Sequence, residues 1–254
     1  MKLKRPLWYY LLPLLSLGLL LAGWLYMAAA KPLLFPSPAE TWQRLIKLIE
    51  VPLARVPLYQ HILISLRRVL LAVLAACVLG VAFGLMVGWS RTFKATLGSI
   101  FEILRPIPPI AWIPLITVWL GIGELPKMLI IFIGTFTIVV TNTYTGVAMV
   151  DPLTLSVGRV FGASRRQLLT EFVLPAALPA IFAGIRMAIG VGWAIVLAAE
   201  MVGASAGVGF LIFRGNELRD MPLIFVCMFI IGIIGALLSA GASWLERRLC
   251  PWRA

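Results

Sequence analysis

From Leu7 to Ala30 the chain runs for 24 residues without a charged side chain. Predominantly apolar runs recur at about 62–89, 128–148, 180–200 and 223–244, and an interrupted one starts near residue 97. No other feature restricts the fold so severely. About 20 apolar residues in a helix cross the roughly 30 Å hydrocarbon core of a bilayer. A chain inside lipid must also satisfy its own peptide groups, which helices do segment by segment. The expected fold is an all-α integral membrane protein with six transmembrane helices. Composition agrees: 61% of residues are hydrophobic and 13% charged, against about 45–50% and about 25% in soluble domains. The first run has the basic start (Lys2, Lys4, Arg5) and the Ala28-Ala29-Ala30 ending of a secretory signal. Signal cores run about 7–15 residues, so this longer one reads as an uncleaved first span.

The connections divide the chain. Residues 1–30 are the first span, 31–60 an extracytoplasmic linker, 61–244 a core of five spans with a loop at 150–178, and 245–254 a basic tail. In the linker, Ser37-Pro38 resembles a helix start. Trp42, Leu45, Ile46 and Ile49 follow at helical spacing, giving a short amphipathic helix on the membrane surface or a plain connector. Gly80, Gly84 and Gly88 lie four apart in the second span, as do Gly235, Ser239 and Ser243 in the sixth. Small residues so spaced let helices approach closely in lipid. A polar break, residues 90–94, precedes the third span.

Pro106, Pro108, Pro109 and Pro114 interrupt that third span, because no regular helix accommodates them. Irregular backbone at membrane depth has to be buried in protein or face water, so this segment is expected to face inward. Thr135, Thr137, Thr141, Asn142, Thr143 and Thr145 should turn the fourth span towards other helices or an aqueous path. A Gly-rich loop is expected from Ala199 to Asp220. Arg105 and Arg186 sit in or beside spans, where a charge either serves function or snorkels to the interface. Glu102 and Glu124 are expected near interfaces.

The formal charge of +12 fits loops that fix membrane orientation better than nucleic-acid binding, for which no basic run or motif is present. With six spans, eleven basic residues (Lys2, Lys4, Arg5, Arg91, Lys94, Arg159, Arg165, Arg166, Arg247, Arg248, Arg253) fall on one side and seven on the other. The excess places both termini in the cytoplasm. Cys77, Cys227 and Cys250 form no CxxC, so neither a disulfide framework nor a zinc site is expected. His61, alone, reads as a polar residue near a helix end. No GxxxxGK[ST] phosphate loop occurs, nor a Ser/His/Asp set or HExxH. The chain is therefore not expected to be an enzyme.

One cytoplasmic stretch stands out, FGASRRQLLTEFVLPAALPAI from Phe161 to Ile181. Val157, Val160, Phe161, Ser164, Leu168 and Phe172 fall near one helical face, and Arg159, Arg166, Gln167 and Thr170 on the other. Gly162 interrupts the pattern, and Pro175 and Pro179 are expected to end the segment and open the fifth span. From the residues alone this is either a surface helix on the bilayer or a docking element that passes force to the spans.

The segment resembles the EAA loop of ABC-importer permeases: Glu-Ala-Ala, three residues, Gly, nine residues, Ile, one residue, Leu-Pro. Gly162 holds the glycine place, Leu174-Pro175 the last, and Phe172 that of the isoleucine. Ser156-Val157-Gly158 stand where the family has Glu-Ala-Ala. LRPIPPIAWIPL, NTYTGV, GASRRQL and AEMVGASAGVGFLI also resemble the nitrate/sulfonate/taurine branch. The resemblance implies a type I importer fold with a cytoplasmic coupling helix, in the inner membrane of a bacterium. It implies a second permease copy, a dimer of ATP-binding subunits carrying ATP and magnesium, and a periplasmic or lipid-anchored binding protein; this chain would bind no cofactor. Gly162, Ala163, Ser164, Arg165, Arg166, Gln167 and Pro175 would serve coupling. Arg105, Pro106, Pro108, Pro109, Thr137, Thr141 and Asn142 would line or gate the path. Glu200, Gly203, Gly207 and Gly209 would approach the binding protein. The solute would be a small anion such as an alkylsulfonate, taurine or nitrate. A secondary transporter or channel is the alternative; the former would show an inverted repeat, and none is seen.

Overall fold

The computed structural model describes residues 7–249, with side chains from Leu12 to Arg248. Lys2, Lys4, Arg5, Cys250 and Arg253 lie outside the described residues. Helices fill most of what is described: α1 (Leu7–Ala30), α2 (Pro38–Glu50), α3 (Leu58–Trp89), α4 (Arg91–Leu104), α5 (Ile113–Leu120), α6 (Glu124–Ala148), α7 (Pro152–Val160), α8 (Arg165–Met201), α9 (Val208–Glu217) and α10 (Met221–Leu249). Helices α1, α3, α6, α8 and α10 are each long and apolar enough to cross a membrane. The chain from α4 through α5, bent by 87° at the proline cluster, makes a sixth crossing if counted as one broken span.

Two compact units are formed. One comprises the chain up to Leu58 with Leu211–Ile230. Here α2 starts with a reciprocal cap: Ser37 Oγ accepts from the Glu40 N–H at 3.2 Å. The Ser37 N–H and hydroxyl donate to the Glu40 carboxylate at 2.7 and 3.0 Å, which holds that carboxyl below the usual carboxylate range. Trp24 of α1 packs against Phe225 and Phe229, and its indole N–H donates to the Pro36 carbonyl at 2.9 Å. Arg44 pairs with Asp220 at 2.7 Å.

The other unit comprises Tyr59–Phe210 and the chain from Ile231 onward. Its core joins α3, α5, α6 and α8 through Val69, Val73, Ile116, Ile130, Ile131, Trp193 and Val196. Two seams of small residues set the helix spacing. The glycines four apart on α3 meet residues four apart on α6: Gly80 faces Val139, Gly84 faces Thr143, and Gly88 faces Val147. On the next side of α6, Gly146 faces Ala177 and Ala180 of α8, and Gly192 of α8 faces Thr135. Backbones at such seams gain dispersion contacts that lipid cannot supply. Thr143 sits in the first seam with its hydroxyl oxygen buried and, among the described residues, without a hydrogen-bond partner. Thr143→Val keeps the shape and removes that cost. The variant should be more stable by about 1 kcal/mol, read as a higher unfolding midpoint in detergent.

Several expectations shift. The polar break at 90–94 shrinks to Ser90, whose hydroxyl accepts from the Phe93 N–H at 3.3 Å and starts α4 at once. The Gly-rich loop is a short turn, because α8 continues to Met201 and α9 resumes at Val208. His61 does lie near a helix end, as the fourth residue of α3, and it is fully buried there. Pro175 and Pro179 do not terminate a helix: α8 runs through both. Just before Pro175, residues Leu168–Val173 adopt a wider π-helical turn. The extra residue in that turn relieves the clash that a proline ring makes with the carbonyl four residues back.

Candidate functional site

Three places in the larger unit carry polar chemistry, and α8 reaches all of them. The first is the reversal between α7 and α8. Gly162 has φ +76°, a left-handed conformation that glycine adopts without penalty. The Ala163 N–H donates to the Gly158 carbonyl and the Gly162 N–H to that of Arg159, both at 3.0 Å. Together they close the helix end in a Schellman motif. Ser164 then caps α8. Its hydroxyl accepts from the Gln167 N–H at 3.3 Å, while the Gln167 side chain accepts from the Ser164 N–H at 2.9 Å. The chain thus reverses at Gly162 where the periodicity suggested only a bend. As a result Val157, Val160 and Phe161 leave the face they were expected to share with Leu168. Val160 and Phe161 are 84% and 85% exposed, beside exposed Arg165 and Arg166, whereas Leu168 is buried. Gly158 lets α7 approach instead, with Leu168 and Phe172 against it.

The second place is a cleft of about 410 Å³ between α6 and α8. Thr137, Thr141 and Asn142 line it from α6, and Arg186 and Gly190 from α8. The hydroxyls of Thr137 and Thr141 donate to carbonyls one turn back at 2.8 Å. Arg105 and the other residues of the third-span break are not among its lining. Arg105 pairs with Glu102 at 3.4 Å and is exposed. Pro109 packs against Gly134 of α6, and Pro106 and Pro108 are exposed. A larger cavity, about 680 Å³, lies between the end of α3, α4 and α6, where Lys94 sits over the Tyr144 ring.

The third place is a buried charged cluster where the start of α3, the start of α6 and the end of α8 meet. Arg68 and Glu200 are 2% and 1% exposed. Arg68 donates to Glu200 at 2.6 Å, to the Ala206 carbonyl at 2.8 Å and, through two nitrogens, to Glu124. Ser65 donates its hydroxyl to Glu200 at 2.7 Å. The same groups take the unpaired N–H groups at the start of α9. Gly207 N–H donates to His61 Nδ1 at 3.0 Å, Val208 N–H to Ser65 Oγ at 2.9 Å, and Gly209 N–H to Glu200 at 2.9 Å. Lys127, also buried, donates to the Gly123 carbonyl at 2.7 Å. Arg68, Lys127 and Glu200 are buried, while Glu124 is half exposed and also meets Arg67 at 3.8 Å, so the buried charges are paired across the cluster.

Gly203 and Gly207 lie on this turn and Gly209 in the first turn of α9, while Glu200 points inward against Gly207 and Gly209. A methyl group at Gly207 would lie 2.3 Å from that carboxylate. Arg68 and Ser65 have no place in the sequence expectations, and His61 figures there only as a polar residue near a helix end. A signal was present: Arg68 stands ten residues into α3, and a charge at that depth requires a partner of opposite sign at the same level. Glu124 and Glu200, at the matching ends of two other apolar runs, are the candidates.

This geometry has relatives. The chain is similar to the taurine transport system permease protein TauC of Escherichia coli, 36% identical over 241 residues that cover 93% of this chain and 88% of that one. It is similar to the nitrate import permease protein NrtB of Synechocystis sp., 32% identical over 94% of this chain and 89% of that one. Among solved structures, the inward-facing MetNI methionine ABC transporter matches with a TM-score of 0.67 over 75% of this chain and 95% of that one, at 18% identity. That match shows a shared fold. Residues 76–253 match the family of binding-protein-dependent transport system inner membrane components, and this multi-pass membrane chain belongs to that family.

Proposed function

We propose that the chain is the permease subunit of an ATP-driven importer, paired with a second copy, that carries a small anion such as an alkylsulfonate, taurine or nitrate. Two ATP-hydrolysing subunits would grip it from the cytoplasm, where ATP and magnesium would bind, and a binding protein would deliver solute from outside. One observation carries the reading. The exposed Val160–Phe161 edge is fixed by a Schellman closure and a capping box to the first residue of α8. From there α8 continues for 37 residues, about 55 Å at 1.5 Å per residue, past the cleft to Glu200. A force on the turn thus reaches the charged cluster through one continuous helix. The solute class comes from the named relatives, and both termini would face the cytoplasm.

The test is reconstitution of the whole complex in vesicles. Uptake should require ATP and survive collapse of a proton gradient; the opposite pattern would favour a secondary transporter. Ser164→Cys should react with thiol reagents supplied from the cytoplasmic side only. No side chain or backbone approaches Gly162 in the space its Cβ would occupy, so Gly162→Trp strains the turn through its positive φ and not through a Cβ clash. That variant should insert normally yet lose ATPase stimulation and most of its uptake. Unchanged uptake would remove the coupling role from this turn.

A further inference from the structure

We infer that α2 is a monotopic membrane helix. Its outer stripe of Trp42, Ile46 and Ile49 lies in lipid at the bilayer surface, held by apolar contact and without preference for anionic headgroups. The inference concerns only the unit that contains α1 and α2 and does not depend on the importer reading. Depth is the first ground. The Lys31 carbonyl accepts from the N–H groups of Leu34 and Phe35, both at 3.0 Å, so the chain turns tightly on leaving α1. It then doubles back. The Trp24 indole donates to the Pro36 carbonyl, and the Trp24 and Phe35 rings both lie against Phe225, with centroids 6.0 and 6.1 Å away. Trp24 precedes Ala30, the end of α1, by about 9 Å along the helix axis. Pro36 has thus returned to a level where α1 is still an uncharged, lipid-exposed span, and α2 starts there at Pro38.

The helix wheel then sorts α2 into three sectors. With Trp42 at zero and about 100° per residue, Ile46 and Ile49 fall at about 40° and −20°. Trp42 and Ile49 are 63% and 61% exposed, and Ile46 is exposed too. Thr41, Arg44, Leu45 and Leu48, between about −60° and −160°, turn into the unit and are buried or half-buried. Glu40, Gln43, Lys47 and Glu50 fill about 80° to 160° and are exposed. An uncharged apolar strip therefore separates the packed face from the polar one. A helix lying in the bilayer interface needs that arrangement, with Trp at the level it favours. The polar sector holds Glu40, Glu50 and a single cation, Lys47, because Arg44 is committed to Asp220 at 2.7 Å. No surplus of positive charge remains to draw anionic lipid. Asp220 also accepts from the Leu223 N–H at 3.0 Å, so Arg44 moors the first turn of α10 to the embedded helix. The bland explanation is that α2 is a connector whose stripe faces water.

Two measurements on the full chain in phosphatidylcholine vesicles separate these. The first uses the unaltered chain and a lipid-soluble diazirine that yields a carbene on illumination. Insertion at Trp42, Ile46 and Ile49 should exceed that at Gln43 and Lys47 at least fivefold, as it should at Leu20 of α1. Insertion no higher than at Gln43 and Lys47 overturns the inference. The second places a nitroxide on Trp42→Cys, Gln43→Cys, Ile46→Cys, Lys47→Cys and Ile49→Cys, one at a time, in a background lacking Cys77, Cys227 and Cys250. The ratio of collisions with oxygen to collisions with a water-soluble nickel chelate should be at least fivefold higher at 42, 46 and 49 than at 43 and 47. Equal ratios would put the stripe in water. Few collisions with either reagent would put it under protein, a second copy or a soluble partner. Either result overturns the lipid contact. Raising phosphatidylglycerol to half of the lipid should change the ratios less than twofold; a larger rise would assign the contact to anionic headgroups and overturn the apolar one.

Discussion

Arg68→Ala is expected to destabilise the folded chain by about 3–5 kcal/mol, the cost of stripping one partner from a buried ion pair. The reason is the asymmetry between making and breaking such a pair. Glu200 would remain 1% exposed, still accepting from Ser65 and Gly209, but with its charge uncompensated. Ala206 would lose the donor that holds its carbonyl, and Glu124 its two nitrogens. The loss should extend beyond one helix, because the same guanidinium ties α3 to α6, to α8 and to the turn before α9. Arg68→Lys should recover only part of the stability, since a single ammonium cannot serve the two carboxylates with the bidentate geometry of Arg. Glu124→Gln should be milder than either, because Glu124 is half exposed. Denaturant titration in detergent provides the measurement. If Arg68→Ala falls no further than the exposed control Arg105→Ala, the cluster is not what holds these helix ends.

Gly84→Leu should be comparably severe by a different route. A Cβ at this position would lie 2.6 Å from Thr143 Cβ and 2.9 Å from the Val140 carbonyl oxygen. The second contact is with backbone, so no rotamer change relieves it, and α3 must move away from α6. Separation would open the seam over its three glycine contacts and forfeit packing on both sides. Overpacking costs about 1–3 kcal/mol when neighbours can yield, and here a whole helix has to. The expected result is loss of properly inserted protein, with Gly84→Ala intermediate. Gly241→Leu is the control, because nothing lies within 4 Å of its Cβ position. Equal yields from the two would mean that α3 and α6 are not in this register.

The architecture was legible because lipid leaves so few options. Apolar run lengths located α1, α3, α6 and α10 to within about five residues at each end but set the start of α8 near residue 180 instead of Arg165, and glycine spacing picked out the α3 face that meets α6. What the pattern could not show was chain reversal. Gly162 and the flanking periodicity fit either a bend or a turn, and the Schellman closure that decides between them depends on hydrogen bonds to Gly158 and Arg159. Prolines were read too literally: Pro175 looks like a helix end until the wide turn before it is seen. The charged cluster was missed because its members are 135 residues apart in sequence. The resemblance, by contrast, had already marked Gly203, Gly207 and Gly209 as one loop without revealing what supports them.

The six-residue wide turn in α8 has a geometric corollary. Each residue rotates an α-helix by about 100°, so a single surplus residue in Leu168–Val173 decides the azimuth of everything beyond it. The bearing of Phe161 relative to Arg186 and Glu200 is therefore fixed by a count of residues, as a keyed shaft fixes the angle between a crank at one end and a cam at the other.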